Sequence, residues 1–228
     1  MLSRLLGPEY RRKRLAAKAP SGPLRAYLSH VLADRGSDYR QVEYLALDLE
    51  TTGLQPGKDH ILSVGAVLVR GTRIDLSTAR HVLVRTKRSI PEASAVIHQI
   101  TDDRAAQGRP IEEVMPWLLE QLAGRVMIAH HAKVEIGFLT AACRSLYGSE
   151  VLFTAVDTQA VALRAFRRRN QEVAARELRL HALRQRYGLP RYPAHDALSD
   201  ALAAAELFLA QAAHRDSGKG MALKEFLL

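Results

Sequence analysis

A single cysteine, Cys143, among 228 residues excludes an internal disulfide and a cysteine-based zinc site, a usage that fits a reducing compartment and makes the cytoplasm the expected location. No uninterrupted apolar run approaches the roughly 18–20 residues that span a bilayer, so no membrane association is expected. The N-terminal stretch lacks an apolar h-region and is not read as a secretory signal. There is no G-x-x-x-x-G-K-[ST] loop to cradle a nucleoside triphosphate and no H-E-x-x-H pair for a catalytic zinc. Internal repeats are absent too. The composition that remains, 47% hydrophobic and 25% charged, excludes disorder over the whole chain. The length suits one good-sized domain plus an appendage.

The net charge of +9 is local. Residues 1–40 hold nine basic and three acidic side chains, a net +6, and residues 164–186 hold eight arginines against two glutamates, again +6. The rest of the chain is therefore net −3. Two positive segments around a slightly acidic body form an electrostatic footprint for a polyanion, with solvated helix faces as the plain alternative.

Hydrophobic patterning predicts strands at 43–50 and 60–71, then an antiparallel meander through 73–86 turning at Arg70–Thr72. A short helix near 92–97 and a helix at 110–123 follow, the latter started by Pro110 and stopped by Gly124. Further on come a buried strand at 125–130, a helix at about 132–146, a last strand at 152–158, and helices at about 158–169, 178–187 and 196–214. The N-terminal segment reads as a basic helix over 8–18, a break at Pro20–Pro23 and a second helix over 23–34. Three strands in a row and then alternation imply an α/β fold, a mixed five-stranded sheet flanked by helices. The domain reading is a basic helical N-terminal extension over 1–40, a catalytic domain over 41–214 and a C-terminal tail over 215–228.

Chemistry is concentrated in three places. Asp48 and Glu50, two apart on a strand, leave the same face, where paired carboxylates repel and resist desolvation unless a divalent cation relieves them. In "AHDALSDALAAAELF", Asp200 lies one turn into an alanine-rich helix that can approach a sheet closely, with His195 at its mouth. In "IAHHAKVEIGFL", Glu135 lies near the start of a helix after a buried strand. Asp157 reads as a structural helix cap.

In order, spacing and context these segments resemble the DEDDh 3′→5′ exonucleases, an RNase H-like family that includes the proofreading subunit of bacterial DNA polymerase III and RNase T. "LDLETTGL" looks like the first motif, "HHAKVEIGFL" the second and "HDALSDA" the third, with "SAVIHQIT" between the first two. The resemblance covers about residues 43–212. It implies that Asp48, Glu50 and Asp200, joined by Glu135 directly or through water, bind two divalent metal ions, Mg²⁺ or Mn²⁺, and that His195 is the general base. It further implies that Thr51, Thr52, Gly53, Leu54, His98 and His131 receive the terminal nucleotide. By charge alone, Arg164, Arg167, Arg168, Arg169 and the basic arm are candidates for holding the strand behind it.

Two positions depart from the family pattern. Where relatives read Asn-Ala-x-Phe-Asp, this chain reads His131-Ala132-Lys133-Val134-Glu135; glutamate keeps the charge and the oxygen ligands a hard metal requires. Gln99 stands where relatives often have glycine. The expected function is removal of nucleoside 5′-monophosphates from 3′ ends of single-stranded DNA or RNA. Two alternatives are a nucleic-acid-binding module that has lost catalysis and a phosphodiesterase of very short oligonucleotides. A protein partner for residues 1–40 is unknown from sequence.

Overall fold

A computed structural model describes residues 7–86 and 88–228; Met1 to Leu6 of the expected extension and Lys87 lie outside the described residues. The sheet has the order β3-β2-β1-β4-β5. Its strands are β1 (Glu43–Thr51), β2 (Ile61–Arg70), β3 (Arg73–Leu83), β4 (Val126–Ala129) and β5 (Ala155–Asp157). The first three form the antiparallel meander, and β4 and β5 run parallel to β1. The architecture is the mixed five-stranded RNase H-like arrangement expected.

β1 is central because both its faces are apolar. Leu45, Leu47 and Leu49 enter one core with α5 (Ile111–Leu122) and α6 (Lys133–Tyr147), while Tyr44 and Ala46 enter a second beneath α9 (Ala197–Arg215). Along α9, buried alanines 197, 201, 204, 205 and 212 give the close approach that a run of small residues permits.

Helices α1 (Pro8–Lys18) and α2 (Pro23–Ser29) begin at prolines, as N1 prolines favour. They are fastened to the body: Leu24, Tyr27 and Leu28 are buried, Arg12 donates to the Leu28 carbonyl, and the Tyr27 hydroxyl donates to the Leu152 carbonyl at 2.9 Å. α2 ends at Ser29, five residues short of the expected span. Between α3 (Glu92–His98) and α5 lies a short helix that patterning missed, α4 (Asp102–Ala106), capped by the Thr101 hydroxyl. α7 (Thr158–Arg168) and α8 (Leu180–Arg186) precede α9.

Residues 215–228 pack into the second core. Leu223, Phe226 and Leu227 are buried, and the Phe226 ring lies 5.3 Å from Tyr39 and 5.4 Å from Phe208. The Leu228 N–H donates to the Ala155 carbonyl at 3.0 Å. Among the described residues no helix is long and apolar enough to cross a membrane.

Candidate active site

Because side chains alternate along a strand, Tyr44, Ala46, Asp48 and Glu50 share the face that α9 covers. Asp48 pairs with Gly65 of β2. A Cβ on Gly65 would collide with the carbonyl carbon and oxygen of Ala197, so the first turn of α9 rests directly on the β2 backbone. That contact delivers Asp200 to Asp48. Asp48, Glu50 and Asp200 each offer a carboxylate oxygen, all within 4.8 Å of one another.

Crowding and burial make the charged forms costly. Burial, followed by the neighbouring Glu135, Asp200 and Glu50 carboxylates, holds Asp48 well above the usual carboxylate range. Burial, with Asp200 and Asp196 beside it, pushes Glu50 up to about 7. Asp200 is raised by burial against the opposing pull of the His195 N–H. No lysine or arginine side chain pairs with these three acids among the described residues. Oxygen-only donors with unbalanced negative charge form a seat for a hard divalent cation.

Glu135 is buried, 3% exposed, in the first turn of α6. Burial, with Asp157 nearby, pushes its carboxyl up to about 8. It stands close enough to act on Asp48 but outside the three-acid cluster, and its Oε2 has no hydrogen-bond partner among the described residues. An orphaned buried carboxylate oxygen beside three acids fits the same cation seat.

His195 adopts a left-handed backbone, φ 66°, and its N–H donates to Asp200 Oδ2 at 2.8 Å. Its exposed imidazole lines the cleft that Asp48 and Asp200 also line. His131 repeats the device: φ 66°, with its N–H donated to Asp157 Oδ1 at 3.0 Å. Its ring turns to Gln159 Oε1 at 2.7 Å. Asp157 also accepts the N–H groups of Gln159 and Ala160, so it is the cap expected and additionally fastens the end of β4. His130 went unnoticed in the sequence. Burial lowers it to about 4, Nδ1 meets Thr158 Oγ1 at 2.8 Å, and Nε2 has no partner at the cleft. Its only signal was the His-His pair at the end of a buried strand.

The turn after β1 is tied down from several sides. Thr51 Oγ1 donates to the Gly53 carbonyl at 2.7 Å, and a Cβ on Gly53 would meet the Asp59 carboxylate at 2.5 Å. The Thr52 carbonyl accepts the Ser94 hydroxyl of α3 at 2.9 Å. Thr52 is buried and its hydroxyl accepts the His60 N–H at 2.9 Å, so that group closes the turn. Leu54 is 80% exposed. His98 is buried near His195, which with burial lowers its pKa. Its Nδ1 accepts the Ile100 N–H at 3.1 Å, which leaves Nε2–H as a fixed, unpartnered donor in the neutral ring.

The basic segments fall differently than expected. Arg164 donates to the carbonyls of Phe226 at 2.9 Å and Leu227 at 3.3 Å, and Arg168 pairs with Glu225 at 3.5 Å, so both hold the C-terminal segment. Arg167 and Arg169 are exposed, about 15 Å along α7 from its start at Asp157. Among the described residues of the basic arm, α1 and α2 lie at the opposite pole, since Arg12, Tyr27 and Leu28 adjoin Leu122, Gly124 and Leu152 where β4 and β5 begin, whereas the acids lie where β1 ends. Seven strand steps from Glu43 to Glu50 amount to about 23 Å, so α1 and α2 do not adjoin the acids. Arg179, Arg184 and Arg191, with His181, line the same cleft as Asp48 and Asp200, a cavity of about 910 Å³.

Comparison with known proteins agrees with this geometry. The chain is 31% identical over 173 residues to a PolC-type DNA polymerase III of Thermotoga maritima, a match covering 76% of this chain and 12% of that one. It is 30% identical over 184 residues to the DNA polymerase III subunit epsilon of Treponema pallidum, covering 80% and 82% respectively. The chain thus spans only about an eighth of the PolC-type relatives but most of the epsilon subunit. Its fold is similar to that of exonuclease X, solved with 5′ overhanging duplex DNA, at a TM-score of 0.60 and 23% identity over 80% of this chain and 99% of that one. Residues 45–208, a span of most of the chain that includes the four acids, match the exonuclease family model RNase_T, and the protein belongs to that family.

Proposed function

We propose that the chain is a divalent-cation-dependent 3′→5′ exonuclease that releases nucleoside 5′-monophosphates from single-stranded DNA or RNA. The observation that carries this reading is the convergence of Asp48, Glu50 and Asp200 within 4.8 Å, backed by the orphaned Glu135 Oε2. These four residues would hold two cations, Mg²⁺ or Mn²⁺ by the hardness of their donors. When bound, such cations polarise the scissile phosphate and provide a nucleophile at neutral pH. His195, in the cleft wall, takes the proton of the attacking water at its imidazole, the side chain suited to proton exchange near neutrality. Asp200 steadies that histidine through its backbone N–H. Leu54 stands against the terminal base, and His98 offers Nε2–H to the terminal nucleotide. The exonuclease X complex with overhanging duplex DNA and the epsilon-subunit relative make DNA the first substrate to try.

The test is incubation with Mg²⁺ or Mn²⁺ and 5′-labelled single strands of DNA and RNA of several lengths. A ladder shortening from the 3′ end is expected, and Asp48→Ala should lose turnover by at least roughly 1,000-fold while keeping strand binding. Cutting confined to the shortest oligonucleotides would assign the narrower phosphodiesterase activity. Strong salt-sensitive binding without cutting would assign a binding module.

A further inference from the structure

The cleft continues past the catalytic acids along α8. Arg179, at the head of that helix, and Arg191, in the loop before α9, line it there. Both are exposed, and among the described residues neither guanidinium has an ion-pair or hydrogen-bond partner. Other arginines of the same stretch are engaged: Arg164 and Arg168 hold the C-terminal segment, and Arg186 pairs with Glu177 at 2.6 Å.

The wall is held firmly. Arg184, buried, donates through Nη1 to the Ala203 carbonyl of α9 at 2.8 Å and through Nη2 to the Pro190 carbonyl at 2.7 Å. It also pairs with Glu206 at 2.7 Å and lies 4.6 Å over the Tyr192 ring. Residues on both sides of Arg191 are therefore bound to the helix that carries Asp200. The backbone that carries Arg191 is thereby fixed relative to the acids.

We infer that Arg179 and Arg191 form a second subsite, which binds the phosphates of the strand on the 5′ side of the scissile bond. The inference rests on the exonuclease reading of the acid cluster. A guanidinium fork matches a phosphate in geometry and charge and stays charged at every working pH. Acids and unpaired cations in one cleft set a seat for the strand's phosphates beside the cutting centre. The volume, near the top of the roughly 300–1,000 Å³ range of small-molecule sites, leaves room beyond the terminal nucleotide.

The experiment is equilibrium binding of a fluorescein-labelled twelve-residue oligothymidylate in EDTA across a salt series, together with kcat and KM on the same strand in Mg²⁺. Removing two phosphate contacts with the Arg179→Ala/Arg191→Ala double variant should weaken binding roughly tenfold at low salt. It should also flatten the log–log salt slope by about 1.4, since each contact on a single strand contributes about 0.7. KM should rise more than kcat falls. The control variant Arg167→Ala/Arg169→Ala loses the same charge outside the cleft. A slope that flattens in the control as much as in the cleft variant, or in neither, overturns the subsite. Wild type that binds with the expected slope but never cuts overturns the exonuclease reading and leaves the subsite standing.

Discussion

Glu135 is buried beside the three clustered acids, and its surroundings make a pH prediction. Its carboxyl, with an ordinary value of 4.5, is pushed up to about 8 chiefly by burial. The folded state thus holds the proton more tightly than the unfolded chain, and stability falls as pH rises between about 4.5 and 8 when no cation is present. Glu135→Gln removes that loss. In EDTA its melting temperature should exceed wild type by an amount that grows from pH 5 to pH 8; a gain that stays flat with pH would contradict the assignment. At this scale the sequence was legible where residue type is itself the chemistry, as for Asp48, Glu50, Asp200 and His195. It was opaque where the partner decides the role. The hydroxyl of Thr52 and the guanidinium of Arg164 are claimed by His60 and by the Phe226 and Leu227 carbonyls, contacts that depend on tertiary packing. Gln99 is explained only by its backbone: it ends α3 with φ 56° and gives its N–H to the Ala95 carbonyl, a left-handed cap that glycine adopts without strain.

α9 is the element on which the site depends, because it lies on β2 at Gly65 and brings Asp200 across. Gly65→Ala places a Cβ where the Ala197 carbonyl now sits, so the first turn of the helix must shift. A displacement of about 1 Å at a catalytic group costs roughly 100-fold in rate. That loss in kcat, with far-UV circular dichroism unchanged, is the expected result, and full activity would show that the contact is slack. The strands were readable because β1 and β2 carry apolar residues on both faces, the mark of central strands. α4, five residues long, was below the length at which a helical period can register. α2 was read too long because Val31, which extends its apolar pattern, is in fact 70% exposed.

Over the whole molecule, the segment after α9 is part of the core. Phe226→Ala should cost about 3–5 kcal/mol, as for other buried aromatics, measured by denaturant unfolding, whereas a change at Leu228, 50% exposed, should fall within about 0.5 kcal/mol. Nothing in local composition distinguished these last residues from a solvated tail, since their partners Tyr39 and Phe208 are distant in sequence. The separation of charge has a kinetic consequence. With Arg11, Lys13, Arg14 and Lys18 exposed on α1 and Arg179 and Arg191 in the cleft, a polyanion meets two positive regions, only one of which adjoins the acids. In dilute salt, encounters at α1 compete with productive ones at the cleft. Raising ionic strength shortens the reach of the field around α1. Productive encounter therefore improves with moderate salt before screening weakens the hold on the strand itself.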